Sequence, residues 1–202
     1  MKLENVAIIG SGGRENSLAW AVSKNELIKK IYLFPGNAGS EDFQKCTRIN
    51  IEFSDPNNLV EKLISLNIDL VIIGPETPLA NGLGDLLRAK DFLVFGPGSD
   101  GAKLESSKAW AKAFMKEANI PTSNSWEISS IQKAKEIIYS NPNPLVVKAD
   151  GLASGKGVFI CETKEECIQK TEEILNGKFG DAGNLIVLEE KIEGPEVSIF
   201  AI

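Results

Sequence analysis

The sequence predicts an α/β protein that opens with a parallel sheet covered on both faces and continues into a second segment of mixed helices and strands. Three observations carry this. Continuous apolar runs alternate with helix-period stretches through the first hundred residues, as expected of strands buried on both faces. Each of those runs ends in glycine or proline, where strand ladders stop. Beyond residue 101 the order changes, and two apolar runs are joined by a glycine-rich loop with no helix between them.

The elements follow in order. Val6-Ala7-Ile8-Ile9 is the first strand, stopped by Gly10-Ser11-Gly12-Gly13, and Leu18, Ala19 and Val22 then recur at helical spacing. Ile31-Tyr32-Leu33-Phe34 is the second, stopped by Pro35-Gly36-Asn37-Ala38-Gly39. Ser54-Asp55-Pro56 starts a helix with Pro56 at its first position and Leu59, Leu63, Ile64 and Leu66 as its stripe. Asp69-Leu70-Val71-Ile72-Ile73 is a strand stopped by Gly74-Pro75; Leu83, Leu86 and Leu87 mark a helix; Phe92-Leu93-Val94-Phe95 closes the series at Gly96-Pro97-Gly98. A domain boundary is expected at residues 96–101, dividing the chain into 1–101 and 102–202. Past it, Leu104, Ser107, Ala111, Phe114, Met115 and Ala118 share one stripe, expected to be a single helix ended by Pro121. Ile131, Ala134, Ile137 and Ile138 give another. Pro144-Leu145-Val146-Val147-Lys148-Ala149 and Val158-Phe159-Ile160-Cys161 are strands flanking the loop 150–157. Thr163-Lys164-Glu165-Glu166 is a capping box opening a helix that runs to Asn176-Gly177. Residues 185–190 and 197–202 are further strands, the last expected to leave an open edge prone to pairing.

Composition narrows the chemistry. With 43% hydrophobic and 25% charged residues the chain is of ordinary globular make-up. Its 22 basic residues against 28 acidic ones give a net charge of −6, which disfavours nucleic acid as a partner because phosphate neutralisation drives that binding. No apolar run approaches the ~20 residues needed to cross a bilayer, and the first residues lack a signal peptide's apolar core. With no histidine, Ser-His-Asp, Cys-His and histidine-based zinc sites are excluded. Cys46, Cys161 and Cys167 form no CxxC pair, so a reduced, cytoplasmic protein with buried thiols is expected. What remains for chemistry is carboxylates, lysines, arginines, backbone amides or a bound metal.

Two nucleotide signatures fail on spacing. A GxGxxG fingerprint would need glycine where Gly10-Ser11-Gly12-Gly13-Arg14-Glu15 has Glu15, and the second strand ends in Phe34-Pro35 with no acid for a ribose. The loop can hold a phosphate on its N–H groups with Arg14 adding charge, or it is simply a tight strand-to-helix turn. Gly151-Leu152-Ala153-Ser154-Gly155-Lys156-Gly157 has three residues between its first glycines where a Walker A loop has four, and Gly157 replaces the Ser or Thr that holds magnesium. It joins strand to strand, so it is a lysine-bearing glycine hairpin able to fold over a polyphosphate and exclude water. Lys148 lies between Val147 and Ala149. A bound anion is the natural counter-charge for a buried lysine; the alternative is an outward-facing lysine on a half-exposed strand.

At this point the residues resemble a known family. Lys108, Lys148, the 151–157 loop and Glu189-Glu190-Lys191-Ile192-Glu193-Gly194-Pro195-Glu196 look like an ATP-grasp nucleotide site. With Gly10-Ser11-Gly12-Gly13-Arg14-Glu15, Pro35-Gly36-Asn37-Ala38-Gly39, Gly74-Pro75-Glu76-Thr77-Pro78-Leu79 and Ser106-Ser107-Lys108, the chain resembles the N-terminal part of the phosphoribosylamine–glycine ligase (glycinamide ribonucleotide synthetase) family. The resemblance implies a Rossmann-like, pre-ATP-grasp domain over 1–101 that binds phosphoribosylamine, and over 102–202 the N-terminal part of an α+β ATP-grasp domain. It implies ATP-driven ligation of glycine to 5-phosphoribosylamine in purine biosynthesis. In that reaction the glycine carboxylate takes the γ-phosphate and the amine then attacks, and no histidine or serine nucleophile is required. By the same resemblance Lys108 and Lys148 act on the ATP phosphates, and Gly151, Ser154, Gly155, Lys156 and Gly157 form the lid. Glu189, Lys191 and Ile192 are the adenine hinge, and Glu196 the ribose carboxylate. Gly12, Gly13, Arg14, Glu15, Asn37 and Glu76 line the phosphoribosylamine site. Asn16 stands where the family commonly has histidine. Family members are longer, so the ligands of Mg2+ or Mn2+ and most of the glycine pocket are expected beyond Ile202, and the missing C-terminal part is an expected partner. On the residues alone, Glu189-Glu190 reads as a solvated strand end and Glu196 as an edge-strand charge. Two alternatives stay open: a non-catalytic nucleotide- or sugar-phosphate-binding module, and another ATP-grasp ligase such as a carboxylase subunit.

Overall fold

The structure, a computed structural model, describes residues 3–153 and 155–199. The chain divides into two compact units, Met1–Ala102 and Lys103–Ile202. In the first, strands β1 (Asn5–Gly10), β2 (Lys30–Pro35), β3 (Cys46–Arg48), β4 (Leu70–Ile73) and β5 (Leu93–Phe95) form an all-parallel sheet in the order β3-β2-β1-β4-β5. Alternate residues of each strand enter different cores. Ala7, Ile9, Phe34, Val71 and Ile73 pack with Leu59 and Leu63 of helix α2 (Pro56–Ser65), Leu79 of α3 (Glu76–Ala80), and Leu83 and Leu87 of α4 (Leu83–Arg88). Val6, Ile8, Ile31, Leu33 and Ile72 pack on the opposite face with Ala19 of α1 (Gly13–Ser23). Both faces are covered over β1, β2 and β4, which is why these strands read as unbroken apolar runs, while the edge strand β5 leaves Leu93 and Phe95 exposed. Asp55 caps α2 by accepting the Asn58 N–H, with Pro56 following it.

Helix α5 (Ser99–Ser106) leads out of the first unit, and α6 (Lys108–Glu117) belongs to the second. The single helix expected over 104–118 is therefore two. Ser107 breaks it in an extended conformation, and its hydroxyl both accepts the Trp110 N–H and meets the Asp150 carboxylate. The expected stripe is not one buried face either: Leu104 and Phe114 are exposed, and Ala102, Ala109 and Ala111 are the buried residues.

The second sheet is antiparallel, β6-β9-β7-β8, made of β6 (Ser125–Ile128), β7 (Leu145–Ala149), β8 (Val158–Ile160) and β9 (Ile186–Glu190). Helices α7 (Ile131–Ser140) and α8 (Lys164–Glu173) bury Leu145, Val147, Ala149, Ile186 and Leu188 on one face. Thr163 caps α8 through the Glu166 N–H at 3.1 Å, while Glu166 reaches back to the N–H of Glu162. A π-helical turn, Ile174–Lys178, extends α8 to the expected glycine. The strand expected at 197–202 is not formed in its described part, since residues 197–199 are irregular and exposed. β9 already pairs on both sides, with β6 and β7, so a segment returning from it finds no free ladder there. Residues 200–202 of that expected strand, and Ser154, lie outside the described residues. Strands β3 (CTR) and β6 (SWEI) and helix α3 (ETPLA) went unread because each is short and, unlike the equally short β4, β5 and β8, lacks a continuous apolar run. Cys161 and Cys167 are buried and Cys46 partly so, all three as free thiols.

Candidate functional site

In the first unit, the C-terminal ends of β1, β2 and β4 carry the expected cluster. Glu15, in the first turn of α1, is 3% exposed. Its carboxylate accepts the Gly12 N–H at 2.7 Å and the Arg14 Nε–H at 2.9 Å. It lies directly on the backbones of Gly10, Gly12 and Gly74, where any Cβ would stand within 3 Å of the Glu15 side chain. Glu15 therefore fastens the β1–α1 loop to the end of β4. Arg14 extends outward and donates from Nη2 to Glu76 at 3.3 Å. Glu76, at the start of α3, is held below the ordinary carboxyl range first by its own backbone N–H and then by Arg14. Asn37 donates from Nδ2 to the carbonyls of Ser11 at 3.0 Å and Gly12 at 3.3 Å, tying the β2 loop to the β1 loop. Gly12 and Gly13 are exposed beside it. The structure thus brings Gly12, Gly13, Arg14, Asn37 and Glu76 together at one rim, and turns Glu15 beneath it.

In the second unit, the face of the sheet away from α7 and α8 carries the lysines. Cross-strand register places Lys148 opposite Val158 and Val187, and Val146 opposite Ile160 and Glu189. Glu189 is buried, not solvated. Its Oε1 meets Lys148 Nζ at 2.8 Å, and its Oε2 meets Lys112 Nζ at 2.9 Å and accepts the Ser123 hydroxyl at 2.9 Å. Burial pushes this carboxyl up, but the hydrogen bonds and charges of Lys148 and Lys112, with Ser123, leave it below its ordinary value. Lys148 is thus neither partnerless nor simply outward: it is a half-buried cation already balanced by a carboxylate. Lys108, the first residue of α6, donates from Nζ to the carbonyls of Asp150 and Gly151, each at 3.2 Å. Burial lowers its pKa. The Asp150 carboxylate accepts the Ala109 N–H at 2.7 Å, so the positive end of α6 is occupied from within.

The glycine hairpin hangs from two fixed roots. Gly151 donates its N–H to Ala182, and Gly157 accepts the Ala149 N–H at 2.8 Å. Between them Gly155 takes φ +74°, which favours glycine, with nothing within 4 Å of a Cβ built there. Lys156 is exposed beside it. Past β9, Lys191 stands 3.8 Å from Glu162, while Ile192 and Glu196 are exposed and make no part of a strand. A cleft of about 470 Å³ lies between Pro144, Cys161, Glu162 and Lys191. A larger cavity, about 810 Å³, runs along α6 to Lys112, Ser123 and Val187.

Sequence reading singled out Lys108, Lys148 and the hairpin as candidates, and did not single out Lys112, Ser123 or the inward turn of Glu189. Only Lys112 had a usable signal: it lies four residues after Lys108, on the same helical face.

Together, the parallel sheet and the lysine-bearing antiparallel sheet define an ATP-grasp-type protein. A biotin carboxylase domain from Hydrogenobacter thermophilus, solved with MgADP and bicarbonate, has the same fold, with a TM-score of 0.75 at 20% identity over 96% of this chain and 45% of that one. The phosphoribosylamine–glycine ligase of Thermotoga maritima matches with a TM-score of 0.76 at 32% identity, over 95% of this chain and 44% of that one. Profiles of the phosphoribosylglycinamide synthetase N domain and of its ATP-grasp (A) domain match residues 4–105 and 106–202. The chain belongs to the phosphoribosylglycinamide synthetase family. It is 41% identical to the phosphoribosylamine–glycine ligase of Nostoc over 98% of its own length and 46% of that protein's. It is 44% identical to a trifunctional purine biosynthetic protein, adenosine-3, of Drosophila pseudoobscura, over 98% of its length and 15% of that protein's. The chain spans just under half the length of the Nostoc relative. Among the described residues no helix is long and apolar enough to cross a membrane.

Proposed function

We propose that this chain carries the phosphoribosylamine-binding unit and the first part of the ATP-binding unit of a phosphoribosylamine–glycine ligase, which joins glycine to 5-phosphoribosylamine with cleavage of ATP to ADP and phosphate. The observation that carries the reading is the placement of Lys108 and Lys148 at the root of a glycine hairpin in which Gly155 has nothing within 4 Å of a Cβ built there. The hairpin closes over the polyphosphate, donating N–H groups and excluding water. Lys148 and Lys108 neutralise the phosphate oxygens, and Lys156 adds charge from the lid. The backbone at Lys191 and Ile192 receives the adenine, and Glu196 the ribose. Arg14, Asn37, Gly12, Gly13 and Glu76 hold the phosphoribosylamine, with Glu15 fixing the loop that presents them. Catalysis of this kind is positioning and charge neutralisation, in keeping with a chain that has no histidine.

Magnesium or manganese would further neutralise the phosphates when bound. Among the described residues no group of three or more Cys, Asp or Glu side chains is placed to hold such an ion.

Calorimetry with MgATP tests the nucleotide half: binding by the chain is expected, with Lys148→Met weakening it by about tenfold or more. Release of ADP that depends on both glycine and phosphoribosylamine, measured on the chain joined to the C-terminal half of the Nostoc relative, tests the reaction. No turnover in the joined protein would overturn the ligase reading and leave a binding module.

A further inference from the structure

Lys112 makes none of the proposed phosphate contacts, yet it is the most completely engaged ammonium of the cluster. Its three protons have three close acceptors: Glu189 Oε2 at 2.9 Å, Thr122 Oγ1 at 2.7 Å and Ser123 Oγ at 2.8 Å. It is 13% exposed and sits on the rigid helix α6. Lys148 is placed differently. It meets the other oxygen of the same carboxylate at 2.8 Å and is 25% exposed.

For Lys148 to take a polyphosphate oxygen, its ammonium must turn away from Glu189. A carboxylate only 8% exposed would then be stripped of a partner, which is strongly unfavourable when nothing replaces it. Here something does. Lys112 and the Ser123 hydroxyl remain on Oε2, and neither has to move. Two lysines and one carboxylate also leave one surplus positive charge in the cluster, and Lys148 is the member free to deliver it.

We infer that Lys112 is a positioning residue that keeps Glu189 neutralised, so that Lys148 is released from the carboxylate to bind the nucleotide polyphosphate. This rests on the reading of Lys148 and the hairpin as the ATP site. With Lys112 gone, Glu189 and Lys148 form a closed neutral pair, and the phosphate must compete with a buried carboxylate for the Lys148 ammonium.

The test combines MgATP calorimetry with amine-acylation footprinting of Lys148, read by peptide mass, on the full chain and its variants. Lys112→Met is expected to weaken MgATP binding by about tenfold or more, and Lys112→Arg to hold it within about threefold. Adding Glu189→Gln to Lys112→Met should restore binding, because it removes the carboxylate that captures Lys148. In the absence of nucleotide, Lys148 should acylate more slowly in Lys112→Met and faster in Glu189→Gln than in the wild type. A melting curve accompanies each variant, and a structural loss alone would not be reversed by Glu189→Gln. Unchanged MgATP affinity in Lys112→Met, or no recovery in the double variant, overturns the inference while the ATP reading stands. If the wild-type chain does not bind MgATP, the ATP reading falls. Footprinting then decides the coupling: slower acylation in Lys112→Met supports it, and an unchanged rate overturns it.

Discussion

Glu189 holds two lysines on one buried carboxylate, and its removal is expected to be strongly destabilising. Glu189→Ala would leave Lys112 and Lys148 facing each other with no counter-charge, and a urea titration should show a loss of about 3–5 kcal/mol. The pH dependence follows from the sign of the shift. Because the folded carboxyl lies below its ordinary value, its contribution is complete above the unfolded pKa, near 4.5, and is lost as pH falls through the folded value. Lys108 works oppositely. Burial lowers its pKa from the ordinary 10.5, so its charged form costs stability at neutral pH and that cost fades as pH rises toward 10.5. Urea midpoints of the wild type and Glu189→Gln should diverge above the acid range and converge below it. None of this was legible in Glu189-Glu190 as letters. A strand-end acid is solvated or buried according to which cations other elements bring to it, and Lys112 and Ser123 arrive from α6 and from the segment before β6.

At the scale of elements, glycines and caps decide how the site is presented. Gly74 has no room for a side chain, because a Cβ there would stand 2.0 Å from a Glu15 carboxylate oxygen. Gly74→Ala should therefore displace Glu15, lower stability by roughly 1–3 kcal/mol, and free the β1–α1 loop, seen as faster amide exchange at residues 11–14. Ser107 caps α6 and meets Asp150 at the root of the hairpin. Ser107→Ala should cost about 1 kcal/mol in a thermal melt and weaken MgATP binding through the displaced root. The long elements were legible because periodicity and caps agree in them: Asp55-Pro56 opened α2 and Thr163 opened α8 where expected. The break at Ser107 was not, since nothing in the 104–118 stripe shows that the Asp150 carboxylate will occupy the start of a new helix.

At the scale of the molecule, the two units differ in how completely they close. The first has a buried core on each face of its sheet within residues 1–102, with Leu93 and Phe95 of its edge strand β5 left exposed. The second buries one face under α7 and α8 and leaves Val158 and Ile160 exposed on the other, at 45% and 61%. A fragment of residues 1–105 should therefore melt cooperatively by itself, and a fragment of 103–202 should melt at lower temperature with a broader transition. Circular dichroism of the two fragments measures both. The amino-acid sequence alone determined the α/β class, the parallel sheet, the glycine-bounded strand ends and the family resemblance, because these reside in local pattern and in the spacing of short motifs. Tertiary structure alone decided that Glu15 lies under its loop, that the helix breaks at Ser107, and that Lys112, Lys148 and Glu189 form one charge cluster. Such pairings join residues up to 77 positions apart (Lys112 to Glu189), and burial and register, which no local pattern encodes, determine which charge meets which.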